Sequence, residues 1–138
     1  TCVHLTCLHL TWERYLLGCA RYLSQAKRKI GCSTSYAHTN FNSVLLNLYR
    51  DGSDAMSWHA DDEPELGRNP AIGSVSLGQS RALQMKQKSD GSNRRTIPLA
   101  NGSYLLMQGA AQHHWLHQVA KSRRPLGERI NLTYRLIL

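Results

Sequence analysis

The sequence predicts a mainly β protein, an antiparallel sandwich or barrel preceded by a helix. Three observations carry this. From residue 41 onward, short runs of aliphatic and β-branched residues alternate with Gly-, Asp- and Ser-containing turn signals at near-regular spacing. The stretch 129–137, RINLTYRLI, alternates polar with apolar residues, the period of a strand. Residues 15–30, YLLGCARYLSQAKRKI, instead carry helical spacing, with Leu16, Cys19, Ala20 and Leu23 able to share one face.

Taken in order, TCVHLTCLHLTW (1–12) reads as a strand, and the helix over 15–30 stops at Gly31 after a basic last turn. SVLLNLY (43–49) reads as a strand ended by the turn signal RDGSD. AIGSVSL (71–77) and ALQMK (82–86) follow, with Gly78 between them. SDGSN is a loop, and RRTIPL (94–99), GSYLLMQ (102–108) and RINLTYRLIL (129–138) supply further strands. The texture changes near residue 40: the first 40 residues hold all four cysteines, one acid and five bases. This divides the chain into a divergent N-terminal segment, 1–40, and a core, 41–138.

At 138 residues the chain is long enough for one domain with a real core. No apolar run approaches the length of a membrane span, and no signal peptide is recognisable; the expected setting is cytoplasmic or nuclear. No two cysteines form a CxxC pair. Cys2, His4, Cys7 and His9 offer zinc-ligand side chains, but at a spacing that fits no common zinc motif. The net charge of +8 favours anionic partners, among them phosphate backbones and small anionic substrates. Lys86 and Lys88, Arg94 and Arg95, and Lys121, Arg123 and Arg124 are candidate phosphate contacts, although each cluster alone is more often a solvated loop.

The last strand sets Arg129, Asn131, Thr133 and Arg135 on one face and Ile130, Leu132, Tyr134 and Leu136 on the other. Periodicity alone fits a half-buried strand with a solvated polar face. Geometry offers a sharper alternative. Six residues of strand span roughly 20 Å, so Arg129 and Arg135 cannot grip one carboxylate together. Leaning inward, their planar forks can hold the two ends of a short diacid, such as a five-carbon keto-diacid. Asn47 and Tyr49 share a face of the strand 43–49 and can add hydrogen bonds to it.

A basic chain that concentrates four of its nine acids in residues 61–65, beside His59 and Trp58, calls for a reason. On extended backbone, i and i+2 project to the same side, so His59 and Asp61 can reach one ion. With a distant second histidine they complete a two-histidine, one-carboxylate triad, which leaves open positions on iron(II). That histidine comes from His113, His114 or His117 in QHHWLHQV. His59 to His117 is about one circuit of a barrel. His114, beside Trp115, also suits a structural or supporting role.

FNSVLLNLYRDGSDAMSWHADDEPELG, AIGSVSLGQSR, LANGSYLLMQGAAQHHWLHQV and RINLTYR together resemble the AlkB family of DNA and RNA dealkylating dioxygenases. The resemblance covers about residues 41–138 and rests on HxD, a far histidine and RxNxTxR in order. It implies a double-stranded β-helix, or jelly-roll, core. It implies iron(II) held by His59, Asp61 and His117, and 2-oxoglutarate held by Arg129 and Arg135 with Asn47, Tyr49 and Asn131 assisting. Glu63 matches an acidic position near the damaged base, where a cationic methylated base would meet it; Trp58 is a further candidate substrate contact. Asp62 and Glu65 read as surface charge. Residues 1–40 depart from the family pattern and match no nucleotide-gripping lid, although Trp12 and Tyr15 are available; they are read as a truncated or rearranged lid region.

The expected activity is thus oxidative demethylation of N-alkylated bases, releasing formaldehyde and succinate, with dioxygen as the other cosubstrate. The expected partner is alkylated nucleic acid, DNA rather than RNA, met by a monomer without a membrane. Two alternatives share the fold: a dioxygenase acting on another substrate class, and a catalytically silent nucleic-acid-binding barrel. A zinc hydrolase with the same three ligands leaves the two inward arginines without a purpose.

Overall fold

The computed structural model describes residues 2–3 and 37–138. The helix expected over 15–30, the bulk of the strand expected over 1–12, the side chains His4, Cys7 and His9, and the aromatic pair Trp12 and Tyr15 lie outside the described residues. Nine strands are described: β1 (Cys2–Val3), β2 (Ser43–Tyr49), β3 (Met56–His59), β4 (Ile72–Gly78), β5 (Arg81–Gln87), β6 (Arg94–Leu99), β7 (Tyr104–Met107), β8 (Trp115–Val119) and β9 (Arg129–Arg135). A 3-10 turn, Pro64–Leu66, and a one-turn helix, α1 (Ala111–His114), complete the described elements.

The strands form two antiparallel sheets, a major one ordered β1-β2-β9-β4-β7 and a minor one ordered β3-β8-β5-β6. The chain passes repeatedly between the two sheets, the jelly-roll arrangement that the resemblance implies. Among the described residues no helix is long and apolar enough to cross a membrane.

β9 sits in the middle of the major sheet, paired with β2 on one side and β4 on the other. Its alternation is used on both faces. Ile130, Leu132 and Tyr134 pack with Val75 and Leu77 in one apolar cluster, against which Val44, Leu46 and Leu48 of β2 also lie. Each such burial contributes about 2 kcal/mol. The opposite face carries Arg129, Asn131 and Thr133, all buried, toward the space between the sheets. The polar face is therefore not solvated: the minor sheet covers it. A second apolar cluster, Tyr49, Leu83, Leu99 and Val119, joins the two sheets beside it.

The element ends depart from the sequence reading for local reasons. β9 stops at Arg135 because Asn42 takes over the pairing: its side chain accepts from Ile137 N–H at 2.8 Å and donates to Ile137 O at 2.8 Å. β4 ends on Gly78, at φ +87°, where a Cβ would stand 2.5 Å from Glu128 O. Only glycine fits, and the adjacent Gln79 N–H donates to that same carbonyl at 2.8 Å. β3 and β8, which carry no clear sequence signal, are short strands of the minor sheet.

Arg81 is a structural clasp that sequence reasoning did not single out. It is buried, and its guanidinium donates to Asp51 O, Asp54 O and Ala120 O at 3.2, 3.0 and 2.7 Å. It thereby ties the turn after β2 to the end of β8, and it lies 5.5 Å from the Tyr49 ring centre. Arg81→Met is expected to lower stability by about 3 kcal/mol, because carbonyls left without donors cost more than the bonds themselves. Arg81→Lys should recover little of this, since an ammonium lacks the fork. Urea unfolding reads the loss; a change below about 1 kcal/mol would show that water replaces the clasp.

Candidate active site

The site forms where the inner faces of the two sheets meet. His59, the last residue of β3, is the direct cross-strand partner of His117 in β8. A register irregularity between Met56 and His59 precedes this pair. The two rings stand 4.2 Å apart between centres. Asp61 approaches from beyond β3. The expectation that His59 and Asp61 share one extended strand is corrected here: the strand ends at His59, and Asp61 is set by the loop that follows. One ligand atom from each of His59, Asp61 and His117 nevertheless lies within 4.8 Å of the others.

Each ligand atom is aimed by its surroundings. His59 Nδ1 lies 2.7 Å from Ser57 O. A carbonyl only accepts, so Nδ1 carries the proton and Nε2 presents a lone pair. His117 is buried, and its Nε2 stands 3.6 Å from Asp61 Oδ2. Burial, reinforced by neighbouring His59 and Arg135, pushes His117 down to about 4 from 6.5. It is neutral near pH 7, the form that ligates a metal. Asp61 is 3% exposed, and its Oδ1 accepts from Arg135 Nη2. Arg135 Nη1 also reaches Glu63, 3.9 Å away at the rim.

The lowered His117 value has a consequence for stability. The unfolded chain takes up a proton near pH 6.5, whereas the folded chain resists until about pH 4. Metal-free protein should thus lose on the order of 3 kcal/mol as pH falls across this window, and the loss should be absent in His117→Gln. Urea midpoints of both proteins at several pH values measure it. Parallel profiles would mean that His117 is solvated.

A cavity of about 220 Å³ extends from the three ligands to β9 and β2. Asn47, Tyr49, Arg129, Asn131 and Arg135 all line it, as does Glu63. Arg129, 1% exposed, is held rather than free to swing. Its Nη2 donates to Ser76 Oγ at 2.9 Å and to Asn131 Oδ1 at 3.0 Å, and its guanidinium lies 4.8 Å from the Tyr49 ring centre. Asn131 is fixed in turn by Ser74 Oγ, which donates to it at 2.8 Å, and by its own bond to Thr133 Oγ1 at 2.8 Å. Burial lowers the Arg129 pKa, with Tyr49 opposing. Tyr49 offers it a hydrogen bond, yet Arg129 forms no ion pair among the described residues, and its Nε and Nη1 meet no acceptor at full hydrogen-bond geometry. A buried guanidinium with two unmatched donors in a cavity fits an anion, and a planar carboxylate best.

The residues present therefore fit an iron ion, through two imidazoles and a carboxylate, and a dicarboxylate at Arg129 in the same cavity. Of the three candidate histidines, His113 and His114 are exposed and outside the cavity; His113 Nε2 lies 3.0 Å from Asn69 Oδ1. Trp58 does not line the cavity either. It neighbours His59 on β3, and its ring lies under Lys86 at 4.5 Å and Arg94 at 5.9 Å. Asp62 is exposed and paired with Lys88 at 3.1 Å, and Glu65 is exposed. Sequence reasoning missed Gln112, Ser74 and Ser76, buried polar residues whose types carry no signal until their partners are known.

Comparison with known proteins agrees with this geometry. The family model described as the 2OG-Fe(II) oxygenase superfamily matches residues 13–135. The human alpha-ketoglutarate-dependent dioxygenase alkB homolog 3 is 44% identical over 108 residues, covering 72% of this chain and 37% of that protein. The human DNA oxidative demethylase ALKBH2 is 40% identical over 105 residues, covering 71% and 40%. The chain thus spans about two-fifths of the length of these relatives. Among solved structures, OsALKBH1 superposes with a TM-score of 0.59 at 20% identity, covering 80% of this chain and 60% of that one. EvdO2 from Micromonospora carbonacea var. aurantiaca does so at 0.53 with 11% identity, covering 86% and 65%. At these identities the superpositions speak to the fold alone.

Proposed function

The chain belongs to the 2OG-Fe(II) oxygenase superfamily, and from that premise we propose that it oxidatively demethylates N-alkylated bases in nucleic acid, DNA rather than RNA. In this reading His59, Asp61 and His117 hold iron(II). Arg129 receives the far carboxylate of 2-oxoglutarate, with Asn47, Tyr49 and Asn131 lining its berth, and Arg135 steadies the end nearer the metal. The observation that carries the cosubstrate half of the proposal is Arg129, whose two unmatched nitrogens lie in the same cavity as the three ligands; the substrate half rests on the similarity to alkB homolog 3 and ALKBH2.

When bound, the iron and 2-oxoglutarate supply the oxidation: dioxygen is consumed, the keto acid becomes succinate and carbon dioxide, and the hydroxylated N-methyl carbon leaves as formaldehyde. The protein's own groups bind, orient and exclude water. Arg129, itself buried, neutralises a carboxylate in this cavity. Arg135 holds Asp61 in one rotamer. Glu63, about half exposed at the rim, is placed to attract a base made cationic by alkylation. The base must leave its stack to reach the cavity, at lower cost when alkylation already weakens its pairing.

Arg95, Arg123 and Arg124 are exposed and suited to phosphate contacts, whereas Lys88 is paired with Asp62. A monomer acting in the cytoplasm or nucleus completes the proposal. Only the monomer has support in the structure: among the described residues the exposed large hydrophobic side chains are Ile137 and Leu138. The test is to incubate the chain with iron(II), 2-oxoglutarate, dioxygen and N-methylated oligonucleotides, and to measure succinate and formaldehyde. Both are expected, with the oligonucleotide stimulating succinate release. Succinate without formaldehyde would move the reading to another substrate class, and neither product would overturn it.

A further inference from the structure

We propose that Gln112 is a positioning residue that sets the backbone of Asp61 and so tunes metal affinity; this rests on the reading of His59, Asp61 and His117 as the metal ligands. β3 and β8 pair as far as His59 and His117, and the same register continued would set Asp61 opposite Trp115. It does not continue, because β3 ends at His59. The Asp61 N–H is therefore a buried donor without a strand neighbour. Gln112 fills that place: its Oε1 accepts from Asp61 N–H at 2.9 Å.

The orientation of the Gln112 amide follows from chemistry. A backbone N–H only donates, so the carboxamide must turn its oxygen toward Asp61. Its Nε2 then faces Met107 Sδ, 3.7 Å away. Gln112 is 1% exposed, so neither end of the amide has water as a substitute. It belongs to α1, which runs directly into β8 and hence to His117 three residues beyond the helix end. One side chain thus couples two metal-binding arms: the loop bearing Asp61 and the strand bearing His117. Arg135 fixes the Asp61 carboxylate, and Gln112 fixes the main chain from which it springs.

Cobalt(II), redox-stable and visible by its absorption bands, serves as the probe, titrated into the metal-free 138-residue chain. Gln112→Met fills the same space without a strong acceptor. It is expected to keep the folded circular dichroism spectrum while its cobalt Kd rises about ten- to a hundredfold, the range for groups that orient metal ligands. Leu77→Val, a change in the apolar cluster behind the major sheet, is the control: it should lower apo stability and leave the cobalt Kd unchanged. Should Gln112→Met fail to fold, Gln112→Asn, which keeps the amide but withdraws its oxygen by one methylene, gives the same reading.

Cobalt binding that needs Asp61 but is equally tight in the Gln112 variant overturns the positioning role alone. A Kd increase in Leu77→Val that matches the Gln112 variant also overturns it, by tracing the effect to stability. Wild-type protein that binds no cobalt, or an Asp61→Ala variant that binds it normally, overturns the metal-site reading and this inference with it.

Discussion

Asp61→Ala is expected to remove metal binding and 2-oxoglutarate turnover together. Asp61 brings the negative charge to a set whose other members are imidazoles. A carboxylate within bonding distance of a divalent ion contributes several kcal/mol even at an effective dielectric of about 20, so affinity should fall by roughly a thousandfold or more. The fold pays as well: Arg135 loses the carboxylate that accepts its Nη2, and breaking a buried pair on one side costs about 3 kcal/mol. Asp61→Asn separates these effects, since it keeps shape and an acceptor oxygen but not the charge. Cobalt titration and succinate release measure the first effect, and urea unfolding the second. Succinate formation near wild-type rates would mean that Asp62 or Glu63 is the true carboxylate ligand.

Arg129→Met should act very unequally on two observables. Without cosubstrate, the buried guanidinium is a liability, desolvated and with two nitrogens unmatched. An apolar side chain of similar length removes that cost but takes a buried donor from Ser76 Oγ and Asn131 Oδ1, so the metal-free, cosubstrate-free protein should keep its melting temperature within a few degrees. With cosubstrate, the same change deletes the charged partner of a buried carboxylate. The KM for 2-oxoglutarate should rise by at least about a hundredfold, corresponding to roughly 3 kcal/mol. Iron or cobalt affinity should change little, because Arg129 is not among the side chains that touch the three ligands. A variant less stable than wild type yet with unchanged KM would show that Arg129 is a structural residue and not a cosubstrate ligand.

How much of this was legible in the sequence depended on whether a signal is local. The alternation in β9 named the correct residues on each face, but not that the polar face is covered; that depends on β3 and β8, short strands with little signal of their own. HxD and a far histidine were visible, and the resemblance already named His117; spacing alone left His113, His114 and His117 open, and what sets His117 apart is the β3–β8 register, a pairing between residues 58 positions apart. Trp58 adjoins His59 in sequence, but adjacency along a strand sends neighbouring side chains to opposite faces, and its ring lies outside the cavity beneath Lys86 and Arg94. Gln112 and Arg81 were invisible for a related reason. Their roles are hydrogen bonds to main-chain atoms distant in sequence, and nothing in the types of those distant residues records them.

The cross-strand pairing of His59 with His117 also governs which length changes this chain can tolerate. Side chains on β8 alternate in direction, so a single-residue insertion or deletion between Gln112 and His117 would turn the imidazole out of the cavity while leaving every neighbouring residue type unaltered. A two-residue change restores its direction but shifts it by about 7 Å along the strand. The turn at Asp90–Asn93, closed by its own side chain, carries no such constraint. Homologous chains should therefore vary freely in length at that hairpin tip and hardly at all over the few residues leading into β8.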